Sequence, residues 1–142
     1  MQTYCTKTDI EAIWPPASLL ASVDDDTSGT LSPTEDGYIT RAIERAANLI
    51  NSRLAMRYKL ADLAANTWCR DANAAIAAYW LSTRRTGPAP AHLQQQYDAY
   101  LGVLDRIVTG HLRVPEATES FDGGPSVSNY RTYQNEPVVW PD

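Results

Sequence analysis

One stretch constrains the fold more than any other. Residues Ile39 to Tyr58, ITRAIERAANLINSRLAMRY, have the length and period of a long amphipathic helix. At about 100° per residue, Ile39, Ala42, Ile43, Ala46, Leu49, Ile50 and Leu54 share one face, while Thr40, Arg41, Glu44, Asn48, Asn51 and Ser52 lie opposite. An apolar stripe of that length has to be covered, so the rest of the chain is expected to pack around it. Upstream, Ser32-Pro33-Thr34-Glu35 combines a side-chain cap, a proline at the first helical position and a glutamate able to close a capping box. Arg53 and Arg57 fall on or beside the apolar face near its C-terminal end. A cation suits the macrodipole there but has to reach water, a carboxylate or a second chain.

The flanking segments extend an all-α pattern. Residues 3–7 are short and β-prone, and Thr8-Asp9-Ile10-Glu11 carries a capping-box signature for a helix of two turns at most, which Pro15-Pro16 is expected to end. Leu19 and Leu20 then read as a small apolar plug on the long helix. Beyond a short connection, Asn66 or Thr67 caps a further segment running to about Arg85. There Trp68, Cys69, Ala72, Ala75, Ile76, Tyr79, Trp80 and Thr83 share a face, and the reverse side carries Ala74, Ala77, Ala78 and Leu81. A helix apolar nearly all round belongs either between two neighbours of its own fold or at a subunit boundary. Contacts between copies are therefore expected to use part of Ala74, Ala77, Ala78 and Leu81, or the outward face of the last helix around Gly102. That last helix opens at Pro90, carries Leu93, Tyr97, Tyr100, Leu101, Leu104, Ile107 and Val108 on a narrow stripe, and ends at Gly110. The expected fold is thus a small bundle of about four helices with one long central member, over residues 1–115.

From residue 116 the helical period disappears and Pro, Gly, Ser, Thr, Asn and acids dominate. Residues 116–142 read as an extended tail, within which Tyr130, Tyr133, Val138, Val139 and Trp140 are more apolar than a solvating linker needs. They are expected to anchor on a partner's surface.

Composition narrows the function classes. At 142 residues the chain is long enough for one domain with a real core, and no apolar run approaches the roughly 20 residues that span a bilayer. The formal charge of -5, with no basic run, disfavours a grip on nucleic acid and with it a helix-turn-helix regulator. Cys5 and Cys69 form no ligand cluster and read as buried thiols, and His92 and His111 flank opposite ends of the last helix. Metalloprotease, nucleophile-elbow, Walker and dinucleotide signatures are all missing, so no enzyme is expected. One local motif does carry chemistry. Asp24 to Glu35, DDDTSGTLSPTE, has the spacing of an EF-hand loop, with Asp24, Asp26 and Ser28 at positions 1, 3 and 5, Gly29 at the turn, Thr30 offering a carbonyl and Glu35 at position 12. The entering segment holds two prolines and no second hand is present. An acidic loop capping the long helix is therefore favoured over calcium as a cofactor, and a calcium-responsive helical module is kept as the alternative.

The order of segments resembles a known family. YCTKTDIEAI, LLASVDDDTSG, AIERAANLINSRLAMRYKL, AAIAAYWLSTRR and YDAYLGVLDRIVTGHLRVP, over residues 3–115, are similar in succession to the head-tail adaptor proteins of tailed double-stranded DNA phages, in their Mu-like branch. These are also called connector or head-completion proteins. The most telling part is Arg-x-x-x-Arg-Tyr, Arg53 to Tyr58, after an acidic glycine-containing loop; Leu60 is followed by Ala61 where relatives often carry proline, so that turn is expected to differ. The resemblance implies a virion protein made in the host cytoplasm and placed at the neck. It would form a ring, usually twelvefold, beneath the portal protein, extending the DNA channel and offering a surface to the next tail-completion protein. The tail lies outside the resemblance, and the portal is the partner on which its own anchor residues are expected to dock. DNA would cross the ring without sequence-specific binding, and no membrane is involved.

Overall fold

The computed structural model describes residues 2–84 and 89–115, and all secondary structure among the described residues is helical. The long helix, α3, runs Pro33–Leu54. Ser32 Oγ accepts the Glu35 N–H at 3.1 Å while Glu35 Oε1 accepts the Ser32 N–H at 3.0 Å, so the capping box closes reciprocally, with Pro33 at the first helical position. Ile39, Ala42, Ile43, Ala46, Ala47, Ile50 and Leu54 are buried along it, and Leu49 is partly so. The helix stops at Leu54, four residues before Tyr58. Arg57 and Tyr58 both donate their N–H groups back to the Leu54 carbonyl, a tightened last turn that faces Tyr58 inward.

Two further helices precede α3. α1 spans Lys7–Ile13, and its capping box uses Thr6 with Asp9 instead of Thr8 with Glu11, because Thr-x-x-Asp closes the same ring as Thr-x-x-Glu two residues earlier. α2 spans Pro16–Val23. This corrects the expected apolar plug: Pro16 occupies the first turn, where its missing N–H is no loss, so the proline pair ends one helix and starts the next. Leu19 and Val23 of α2 are buried. Residues 2–6 are extended without strand pairing; the Tyr4 N–H is taken by Asn73 Oδ1.

After α3 a short 3-10 turn at Leu60–Leu63 leads to α4, Thr67–Ser82, which Asn66 caps by accepting the Cys69 N–H at 3.0 Å. α4 is the hub of the fold, packing most extensively on α3, then on α5 (Ala91–Val108), α1 and α2. Both its faces are therefore consumed inside the chain, and Ala74, Ala77, Ala78 and Leu81 are each at most 2% exposed. Alanine at 74, 77 and 78 lets the neighbouring helices approach closely. α5 closes the other side through rings: Tyr97 stacks on Tyr79 at 3.9 Å between centroids, and Tyr100 meets Trp68 edge-on at 5.5 Å. Leu93, Leu104 and Ile107 enter the core, whereas Val108 lies outside it at 37% exposed. Gly110 ends α5 with φ +88°, a left-handed conformation that few other residues adopt cheaply. Beyond it Val114 is buried, with its N–H donated to Tyr58 Oη at 2.9 Å. The five helices thus share one core, in which each large aliphatic side chain contributes about 1.5 to 3 kcal/mol.

Candidate functional site

The acidic loop is built on the cap of α3. Asp24, Asp26 and Glu35 bring one carboxylate oxygen each within 4.8 Å of the others, so the three side chains that the EF-hand spacing singles out do converge. Their oxygens already have partners. Asp24 accepts from the Ser28 N–H at 3.1 Å and the Gly29 N–H at 2.8 Å; Glu35 Oε2 accepts from Asp25 at 2.8 Å and Asp26 at 3.4 Å, beside its capping bond to Ser32. The Ser32 N–H above all holds the Glu35 carboxyl below the usual carboxylate range. Burial opposes that effect, the N–H groups of Asp25 and Asp26 add to it, and the Asp24 charge works against it. Ser28 Oγ donates to the Thr30 carbonyl, at 2.8 Å, so that carbonyl is engaged too. Gly29 has φ +85°, which explains the glycine at the sharp turn without reference to a metal.

Arg53, in the last turn of α3, and Arg57, just beyond its end, face the C-terminal end of α5. Arg53 Nη1 donates to Asp105 Oδ1 at 2.6 Å across the exposed edge of the α3 and α5 contact, and a Cβ on Gly110 would come within 3.5 Å of Arg57 Nη1. Both thus have work within the chain, beside any contact with another copy. Gly102 points outward, and a Cβ there would meet nothing within 4 Å. Of the residues expected between copies, Arg53, Arg57 and Gly102 remain reachable. Ala74, Ala77, Ala78 and Leu81 do not, since the chain's own helices cover them.

A second polar cluster was not foreseeable residue by residue. Where α3 crosses the end of α4, Tyr38, Arg41, Arg45, Trp80 and Arg84 line an open cleft of ≈ 200 Å³. Arg45 stands over the Trp80 ring at 4.9 Å, and Arg84 and Arg41 stand over Tyr38 at 4.3 and 5.3 Å. Arg84 is further tied to the Ser22 carbonyl at 2.7 Å and to Asp25 at 3.2 Å. Among the described residues, Arg41 and Arg45 form no ion pair. The available signal was the i, i+4 pair of arginines one turn after Tyr38; that Trp80 and Arg84 join them depends on helix packing.

The remaining polar candidates are occupied structurally. Cys5 and Cys69 are free and buried, and burial pushes both thiols up to about 12, with Asp9 adding to the effect at Cys5. His92 bonds the Ile13 carbonyl and His111 bonds Thr109, at opposite ends of α5. No described helix is long and apolar enough to cross a membrane. Tyr130, Tyr133, Val138, Val139 and Trp140 lie outside the described residues.

A family model described as Bacteriophage Mu, Gp36 matches residues 4–127, nearly the whole chain. No curated protein matches it.

Proposed function

Because the chain belongs to the Bacteriophage Mu, Gp36 family, we propose that it is a structural virion protein, the head-tail adaptor of a tailed phage. Twelve copies form a ring beneath the portal at the virion neck, extending the DNA channel and joining head to tail. The family match carries this reading. A core that buries its own helices on one another and a tail whose aromatic residues exceed what a linker needs are what such a component requires. A net charge of -5 suits a passage that DNA crosses without adhering, since binding phosphates takes cations.

In the ring, Arg53, Arg57 and Gly102 lie toward the neighbouring copy, and Tyr130, Tyr133, Val138, Val139 and Trp140 dock on the portal. Weak single contacts repeated around a ring become a lasting joint, because once one tail is bound its neighbours are already local. Native mass spectrometry of the purified chain with and without a portal ring tests the reading. A discrete complex of twelve chains per portal ring is expected, and deletion of residues 119–142 should abolish it while helicity is retained. No complex with the full chain would overturn the adaptor role.

A second reading, a calcium-responsive helical module, is favoured by one observation, the approach of Asp24, Asp26 and Glu35 to within 4.8 Å.

A further inference from the structure

The chain's charge is unevenly distributed. Residues 116–142 hold Glu116, Glu119, Asp122, Glu136 and Asp142 against the single Arg131, so four of the five excess negative charges lie in that segment. The helical part is close to neutral, yet it places Arg41, Arg45 and Arg84 around two rings in one cleft. Arg41 and Arg45 stand four residues apart on α3, an arrangement in which like charges repel. Arg84 has the carboxylate of Asp25, whereas neither α3 arginine has one among the described residues. An arginine held over a ring presents its planar edge, which fits a carboxylate through two parallel hydrogen bonds.

We propose that the cleft formed by Tyr38, Arg41, Arg45 and Trp80 is the docking site of this chain's own acidic C-terminal end, with Glu136 and Asp142 supplying the carboxylates and Trp140 a ring. The place where the described chain ends supports this occupant. The Pro115 carbonyl is fixed to Asn66 Nδ2 at 2.7 Å, at the N-terminal end of α4. Trp80 lies fourteen residues along that helix from Asn66, about 21 Å at 1.5 Å per residue. The 21 residues from Pro115 to Glu136 have an r.m.s. reach of about 25 Å as a flexible chain. A tether whose reach matches the span gives the highest local concentration, so weak carboxylate contacts suffice to populate the docked form. The proposal rests on the reading of this segment as a docking element. It adds a place for the segment to sit before a partner takes it.

Hydrogen exchange on the full chain, followed by mass spectrometry without any portal, tests it. Peptides within residues 132–142 should exchange about three- to tenfold more slowly than an unstructured chain, and about 0.5 M salt should remove that protection. Arg41→Gln with Arg45→Gln should abolish the protection without altering helicity, because both side chains are exposed on α3. Arg41→Glu with Arg45→Glu should regain it when combined with Glu136→Arg and Asp142→Arg. Unprotected wild-type peptides, protection that survives the double glutamine change, or protection that rises with protein concentration, as a neighbour's tail would give, each overturns the proposal. Because no portal is present, such a failure leaves the adaptor reading standing.

Discussion

Asn73 Oδ1 accepts the backbone N–H of Tyr4 at 2.9 Å from a position on α4 where no part of Asn73 reaches solvent. Its Nδ2 donates in the other direction to the Ile43 carbonyl of α3, at 3.1 Å. One amide therefore ties the N-terminal strap, the hub helix and the long helix together, with both ends satisfied. Asn73→Ala would leave the Tyr4 N–H buried without a partner, a penalty of about 1 to 3 kcal/mol besides the bonds lost. Urea unfolding should register a loss of about 2 to 3 kcal/mol. A change under about 0.5 kcal/mol would mean that the strap detaches freely and Asn73 is not the tie.

Ala77 allows the sharpest distinction between fold and assembly. It is 0% exposed and lies within α4, which is packed by four other helices. Ala77→Arg would force a large cation into space that holds a methyl group, adding overpacking to an unpaired buried charge. The isolated chain should lose several kcal/mol and much of its helical signal at 25 °C, so any failure to assemble would follow from unfolding. Full helicity and an unchanged midpoint in circular dichroism would instead return this face to the subunit boundary.

The elements that could be read in the sequence are those specified locally. Ser32, Pro33 and Glu35 define the start of α3 by chemistry within four residues, and Asn66 and Gly110 do the same for the start of α4 and the end of α5. α2 was obscured because a proline pair reads equally as a stop and as a start, and only the burial of Leu19 and Val23 distinguishes the two. The period of α4 revealed that both faces are covered but not by what, since intramolecular and intermolecular burial leave the same apolar pattern. The arginine cleft was hidden for a related reason: Arg41 projects to the polar side of α3, and its company of Trp80 and Arg84 comes from a segment some forty residues away.

Gly102 lies on the outward side of α5 with open space around the position of its missing Cβ. Within the chain, Gly102→Ala should stabilise by about 0.5 to 1 kcal/mol, because the helix gains propensity and nothing obstructs the methyl group. Thermal unfolding of the monomer reads that gain. If a neighbouring backbone approaches this face in the ring, the same change should weaken assembly while stabilising the subunit. Equal assembly of both forms would place the subunit contact elsewhere.

Glu35 couples the acidic loop to the start of α3, and its linkage to pH has a definite sign. The Ser32 N–H, foremost, holds the folded carboxyl below its unfolded value of about 4.3. Stability from this group is therefore fully present above that unfolded value and is lost as pH falls through the lower folded one. Glu35→Gln keeps the shape but removes the charge that the three N–H groups favour. The wild type should have the higher melting temperature at pH 7, and the gap should close as the pH is lowered from about 4 toward 2. A gap of constant size across that range would show that the bonds act as neutral ones. Calcium provides an independent check at pH 7. Both Glu35 oxygens and Asp24 are already engaged by backbone N–H groups, so a metal would have to displace bonds that define the helix cap. We expect calorimetry at millimolar calcium to give no heat above buffer. A saturable heat, together with a melting temperature that rises with calcium in the wild type and not in Glu35→Gln, would make the loop a cation switch instead of a cap.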